Sequence, residues 1–231
     1  MPALTDPFSP ATEQFRMLRV RIDARREAGD GALTLAVTSA FPAEGKTSVA
    51  LNLAVVAAQE PERRVVLVEC DLRRPRIGQL LARPPVLGLS DVLAGKATLD
   101  SVIVDLSTPP GMSMVVAGRP PQNPVELLGS EAMRRVLEHL RRRFDTVIVD
   151  SPPAMHFADA SQLSTHLDAF LLVARSGRTP REALARTWRL LGSERVIGVV
   201  LNDVDPGPGS GYGYGYHAYG YRPPPPPDET P

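Results

Sequence analysis

Three short stretches carry the side chains best suited to chemistry. The first is Gly45-Lys46-Thr47, which follows an apolar run at 33–39 and opens a second apolar run. In a phosphate-binding loop, backbone N–H groups curl around phosphates at a helix N-terminus, where the helix dipole favours anions. The lysine then reaches the β and γ phosphates, and the Ser/Thr hydroxyl meets Mg²⁺. Lys46 and Thr47 fill those two places, although Ala40 stands where the pattern G-x-x-x-x-G-K-[ST] begins with glycine. Gly-Lys-Thr on its own recurs by chance. The other two stretches are acidic: Glu69 and Asp71 end the run 65–71, and Asp150 ends the run 147–150. Singly, each reads as an acidic turn residue. Together they place three carboxylates on the edge that holds the loop, where Mg²⁺ and its waters need oxygen ligands.

A fourth group has no place in a core. All five tyrosines, Tyr212, Tyr214, Tyr216, Tyr219 and Tyr221, fall within ten positions near the C-terminus. Residues 206–221 contain no Asp, Glu, Lys or Arg, and a proline run follows. Such a segment cannot build a core and reads as a disordered tail over 206–231. Its phenols are accessible phosphoacceptors; the alternatives are a low-complexity linker or a ligand for an aromatic-lined groove.

The elements that must position these residues follow from hydrophobic pattern. Apolar strands at 33–39, 64–71, 112–116, 145–150, 169–174 and 196–202 alternate with helices at 46–59, 123–143 (broken near Gly129-Ser130), 159–167 and 179–191, with short helical pieces at 89–94 and 99–104. A first helix over 9–29 is capped by Ser9 and opened by Pro10. Continuous rather than alternating strands indicate a parallel sheet buried on both faces. The expected fold is α/β, a doubly wound, mostly parallel sheet with ligands at the carboxyl ends of its strands. The expected organisation is an N-terminal helical segment over 1–30, a P-loop domain over 31–205 and the tail over 206–231.

Composition bounds the partners. The 231 residues are 43% hydrophobic and carry a formal net charge of zero, which argues against a broad nucleic-acid surface. One cysteine, Cys70, excludes an internal disulfide framework. No signal-peptide pattern and no apolar run of about 20 residues is present, so an intracellular protein is expected.

With these motifs in place, the sequence resembles the bacterial tyrosine kinases of capsule and exopolysaccharide assembly, whose P-loop fold is related to the MinD/ParA ATPases. Gly45-Lys46-Thr47 matches the family's Walker A, Glu69-x-Asp71-x-Arg73 its Walker A′, and 147–153 its Walker B. The stretches 88–95 (GLSDVLAG) and 117–130 (AGRPPQNPVELLGS), and the tyrosine cluster, are also similar to this family. The MinD/ParA signature lysine would fall at Phe41, and related iron–sulfur carriers need paired cysteines, so the kinase branch fits best.

The resemblance implies an ATP-dependent, Mg²⁺-requiring autokinase that phosphorylates its tail in trans and regulates polysaccharide export; the alternatives are an ATPase switch or a weak nucleotide-binding scaffold. Ala43, Glu44, Gly45, Lys46, Thr47 and Ser48 would surround the phosphates, and Asn202 the adenine, unless Asn202 is a strand-end turn residue. Thr47 and Asp150 would ligate Mg²⁺, and Glu69 or Asp71 would take the phenolic proton. Arg73, Arg74 and Arg76 could neutralise phosphate charge or form a solvated face. Glu13-x-x-Arg16-x-x-Arg19 matches the family's self-assembly motif; otherwise it is a charged helix face with i,i+3 pairs. The implied partners are a membrane chain-length regulator whose cytoplasmic tail activates the kinase, further copies in a ring, and a tyrosine phosphatase. The implied location is the cytoplasm, at the inner face of the membrane. Two departures stand out. Ala43 replaces the family's usual glycine, which matters if the position takes positive φ, and Glu69 replaces the commoner aspartate.

Overall fold

The computed structural model describes residues 2–25, 31–80 and 86–205. Seven strands form one sheet: β1 (Leu33–Ser39), β2 (Val65–Glu69), β3 (Ile103–Asp105), β4 (Met112–Val115), β5 (Thr146–Asp150), β6 (Ala169–Arg175) and β7 (Val196–Asn202), in the order β3-β4-β2-β5-β1-β6-β7. Every pairing is parallel except β3 with β4. β2 and β5 are buried along their whole length, as helices on both faces require.

The helices are α1 (Pro2–Thr5), α2 (Pro10–Asp23), α3 (Lys46–Ala58), α4 (Leu89–Leu93), α5 (Pro124–Leu128), α6 (Glu131–Arg143), α7 (Asp159–Ser164) and α8 (Arg181–Leu191). Residues of α1, α2 and α3 share one core on one face of the sheet, and those of α4 to α8 share another on the opposite face. The chain leaves β1 toward β2 on one side and later returns to β6 on the other. The carboxyl end of β1 is therefore the switch point where ligands sit in such sheets.

Local chemistry explains most boundaries. Ser9 caps α2 by accepting from the Thr12 N–H at 3.2 Å, with Pro10 at the first helical position. The helix ends at Asp23, short of the expected 29; residues 26–29 lie outside the described residues. Ser130 caps α6 by accepting from Met133 N–H at 3.3 Å, which turns the expected break into two helices.

α3 is apolar almost all round, with Val49 through Ala58 all buried, because the sheet covers one side and α1 and α2 the other. Its one buried polar side chain, Asn52, donates to Ser48 O at 2.8 Å and accepts from Ala3 N at 3.1 Å. That pair of bonds docks α1, a turn the sequence pattern does not announce. The stretch 99–104 is not helical. It ends in β3, which pairs antiparallel with β4 through Ile103–Val115, Val104–Met114 and Asp105–Ser113.

Candidate functional site

The loop between β1 and α3 is held from outside. Gly45, at the N-cap of α3, has φ 95°, and a Cβ there would lie 1.9 Å from Asn202 Nδ2. Only glycine permits both the conformation and the approach. Asn202, at the end of β7, donates through Nδ2 to Glu44 O at 3.0 Å. Its amide thus braces the loop rather than standing as a loose turn residue. The Glu44 carboxylate is buried; it accepts from Phe41 N at 2.8 Å and from the Thr179 hydroxyl, which in turn accepts from Arg175 N at 2.7 Å. Thr179 carries no motif signal, and its bracing role emerges only from the fold. Ala43 has φ 62°, so the position that carries glycine in the resembled family does take the left-handed conformation. Ala43 and Ser48 are exposed, on the open side of the loop.

Lys46 extends to Asp71, with Nζ 3.0 Å from Oδ2 and both side chains almost covered. Asp150 is 1% exposed and lies beside Glu69 in the sheet register, on the β5 end next to β1. Burial pushes its carboxyl up to about 7; Lys46 and the Thr47 hydroxyl pull it down, while Asp71 and Glu69 push it further up. Its Oδ1 is buried without a hydrogen-bond partner. An orphaned carboxylate oxygen beside a threonine hydroxyl, at the mouth of a phosphate loop, is a donor set that fits Mg²⁺. Among the described residues no group of three or more His, Cys, Asp or Glu side chains could hold an ion unaided. That suits Mg²⁺, which takes one or two protein oxygens and completes its shell with water and substrate phosphates.

The two Walker A′ carboxylates separate sharply. Glu69 is 1% exposed; Oε1 accepts from the N–H groups of Arg76 at 2.5 Å and Ile77 at 2.6 Å, and Oε2 from Ala117 N–H at 3.0 Å. Both oxygens are engaged by these three backbone donors, which favours Asp71 over Glu69 as the candidate base. It ties the turn after β2 to the end of β4. Asp71 accepts from Arg74 N at 3.2 Å and otherwise faces Lys46, which leaves it at the site. Between them Cys70 is fully buried, and burial, then Asp150, Glu69 and Asp71, push its thiol well up. Arg73 turns away from the loop: Nε lies 2.9 Å from Asp159 Oδ2, and its guanidinium stacks 4.4 Å over the Phe157 ring. Arg74 and Arg76 are exposed.

The charged face of α2 is only partly a surface feature. Glu13 and Arg16 pair with each other at 3.1 Å, three residues apart. Arg19 is used within the chain, paired with Glu60 and, at 3.5 Å, with Asp23. Tyr212, Tyr214, Tyr216, Tyr219 and Tyr221 lie outside the described residues. A cleft of about 780 Å³ is lined by Ala154 to Ala158, Ser161, Arg186, Arg189 and Leu190 and does not include the phosphate loop.

No protein-family model matches the chain. Over 202 residues it is 33% identical to the tyrosine-protein kinase YwqD of Bacillus subtilis (strain 168), across 87% of this chain and 84% of YwqD. Over 205 residues it is 36% identical to the tyrosine-protein kinase Etk of Escherichia coli (strain K12), across 87% of this chain but 28% of Etk, so it spans about a quarter of that longer relative. The solved kinase domain of Escherichia coli ETK superposes with a TM-score of 0.80 at 34% identity, covering 87% of this chain and 78% of that one. A P-loop braced by Asn202 and Glu44, with Lys46, Asp71 and Asp150 converging beside it, therefore sits in a sequence and fold shared with these enzymes, and the chain belongs to the bacterial tyrosine-protein kinases.

Proposed function

We propose that this chain is an ATP- and Mg²⁺-dependent kinase that phosphorylates its own tyrosine cluster, one copy acting on the tail of another. The observation that carries the reading is the Lys46–Asp71 ion pair beside the unpartnered Oδ1 of Asp150. The N–H groups of residues 43–48 cradle the phosphates, and the Asn202 amide keeps that loop closed from behind. Thr47 and Asp150 would hold Mg²⁺, which would supply neutralisation of the phosphate charge. Lys46 has to leave Asp71 to reach the same phosphates. That exchange frees a carboxylate oxygen when nucleotide is bound.

The freed Asp71 oxygen accepts the proton of an incoming phenol as the phenolic oxygen bonds to the γ phosphorus. The bond from that phosphorus to the bridging oxygen breaks, and ADP departs with the electron pair. A phenol with a pKa of about 10 gains from a nearby carboxylate, yet most of the acceleration comes from positioning and charge. Following the resemblance, we further propose activation by the cytoplasmic tail of a membrane chain-length regulator and recruitment through it to the inner face of the membrane. A phosphatase resets the cycle, and control of exopolysaccharide synthesis is the outcome.

Incubation of unphosphorylated protein with Mg-ATP tests the reaction. Phosphate is expected on one or more of Tyr212, Tyr214, Tyr216, Tyr219 and Tyr221, rising when the regulator's tail is added. Steady ATP hydrolysis with no phosphotyrosine would instead indicate an ATPase switch, and no gain on adding the regulator's tail would remove the activator.

A further inference from the structure

The 780 Å³ cleft between the loop after β5 and helix α8 takes no part in the reaction above, yet its lining is chemically one-sided. Arg186 and Arg189 stand three apart on α8 and so share a face. His156 and Ser161 face the same space, and Met155, Phe157 and Leu190 supply apolar surface. No carboxylate lines it. Neither arginine makes an ion pair among the described residues; the one side-chain bond of Arg189 there runs from Nε to Ala185 O at 3.4 Å, leaving its Nη groups without a partner among them. Phe157 and Leu190 are 39% and 51% exposed. Two forked cations beside an exposed ring and a leucine match a phosphorylated phenol, with the phosphate on the guanidiniums and the ring on Phe157 and Leu190.

We propose that this cleft is a phosphotyrosine site, and that its occupant is the phosphorylated tail of the same chain. The tail leaves the domain after β7, whose end abuts the phosphate loop through Asn202, and the cleft begins in the loop that follows Asp150. From Asp205 to the tyrosines at 212 and 221 the chain reaches at most about 25–55 Å. A domain of this size has a radius of gyration of only about 16 Å, so the more distal tyrosines have chain enough to reach a cleft on the same domain. Each phosphate adds about −1.5 to −2 charges to a segment that has none in 206–221. The unmodified tail lacks the anion, so occupancy follows phosphorylation and draws the product away from the phosphate loop. The modification rests on the kinase reading above; the recognition chemistry does not.

Synthetic peptides separate the two. Five peptides of residues 206–221, each with one phosphotyrosine, are titrated into unphosphorylated full-length Lys46→Ala protein, with the unphosphorylated peptide and a phosphoserine peptide of the same charge alongside. At least one phosphotyrosine peptide should bind on the order of tenfold or more tighter than the unphosphorylated one, the effect of one charge-assisted bond. Arg186→Ala with Arg189→Ala should abolish that difference, and both changes lie on exposed positions that leave the fold intact by circular dichroism. Equal binding with and without phosphate, equal binding of the phosphoserine peptide, or binding unaffected by the double substitution would each overturn the proposal. These outcomes hold whether or not the protein proves to be an active kinase.

Discussion

Ala43 carries the clearest cost at the residue scale. A non-glycine residue at φ 62° costs roughly 1 kcal/mol, because its Cβ crowds the adjacent carbonyl. Ala43→Gly removes that strain and gives back some unfolded-state entropy. The variant should therefore be equally stable or up to about 1 kcal/mol more stable in denaturant unfolding, with kinase activity equal or higher; a marked loss of either would mean that the loop does not need this conformation. Glu69 and Asp71 give the second contrast. Glu69→Gln keeps acceptor capacity on one oxygen but sets an amide N–H₂ against a backbone donor, so it should cost about 1–3 kcal/mol of stability with only secondary loss of turnover. Asp71→Asn should leave stability nearly unchanged while lowering kcat by about 10²-fold or more. The opposite partition in unfolding and single-turnover measurements would reverse the two assignments. Sequence placed both carboxylates at the end of one strand but could not rank them, since what distinguishes them is their partners: three backbone amides from two segments converge on one and Lys46 on the other. Lys46 and Thr47 were legible because the P-loop is a local pattern, and Asp150 because it ends a continuous apolar strand.

Elements were legible where their pattern is local and long. The buried parallel strands and α3 follow from continuous apolar runs, α8 from its amphipathic pattern, and the starts of α2 and α6 from their serine caps. β3 did not, because three residues become a strand only by pairing with β4. Nor did α1, which owes its place to Asn52 on a helix far along the chain. The attachment of α2 has the same long-range character. Arg63, just before β2, forks onto Asp23 with Nη1 to Oδ2 at 2.9 Å and Nη2 to Oδ1 at 2.7 Å. Burial pushes the Asp23 carboxyl up, but the Arg63 and Arg19 bonds and charges outweigh it and hold the group below its ordinary value. Its contribution is therefore present above the unfolded pKa near 3.9 and is lost as pH falls through the lower folded value. Asp23→Asn should cost about 0.5–1 kcal/mol at pH 7, a modest figure because the carboxylate is partly solvated. Urea unfolding should show that cost shrinking as pH falls below the unfolded pKa near 3.9; a penalty independent of pH would exclude the ion pair as its origin.

Over the whole molecule, the proposed transfer from one copy to the tail of another requires several copies. The α2 face divides that question: Arg19 is tied to Glu60 and Asp23 within the chain, whereas among the described residues Glu13 and Arg16 pair only with each other. Reversing Glu13 and Arg16 singly should change the mass seen by light scattering with little effect on unfolding, and Arg19→Ala should lower stability as well. A lowered mass for Arg19→Ala alone would instead place assembly on that residue. No helix among the described residues is long and apolar enough to cross a membrane. The measurement closest to the central claim mixes Lys46→Ala protein, tail intact, with a second chain whose five tyrosines are phenylalanine, adds Mg-ATP, and reads residues 206–231 by mass spectrometry. Phosphate should accumulate on the tail of the Lys46→Ala chain in the mixture, and on neither variant alone. A tail that stays unmodified in the mixture, under conditions where the wild-type chain is modified, would contradict transfer between copies; a Lys46→Ala chain that modifies itself would contradict the phosphate site.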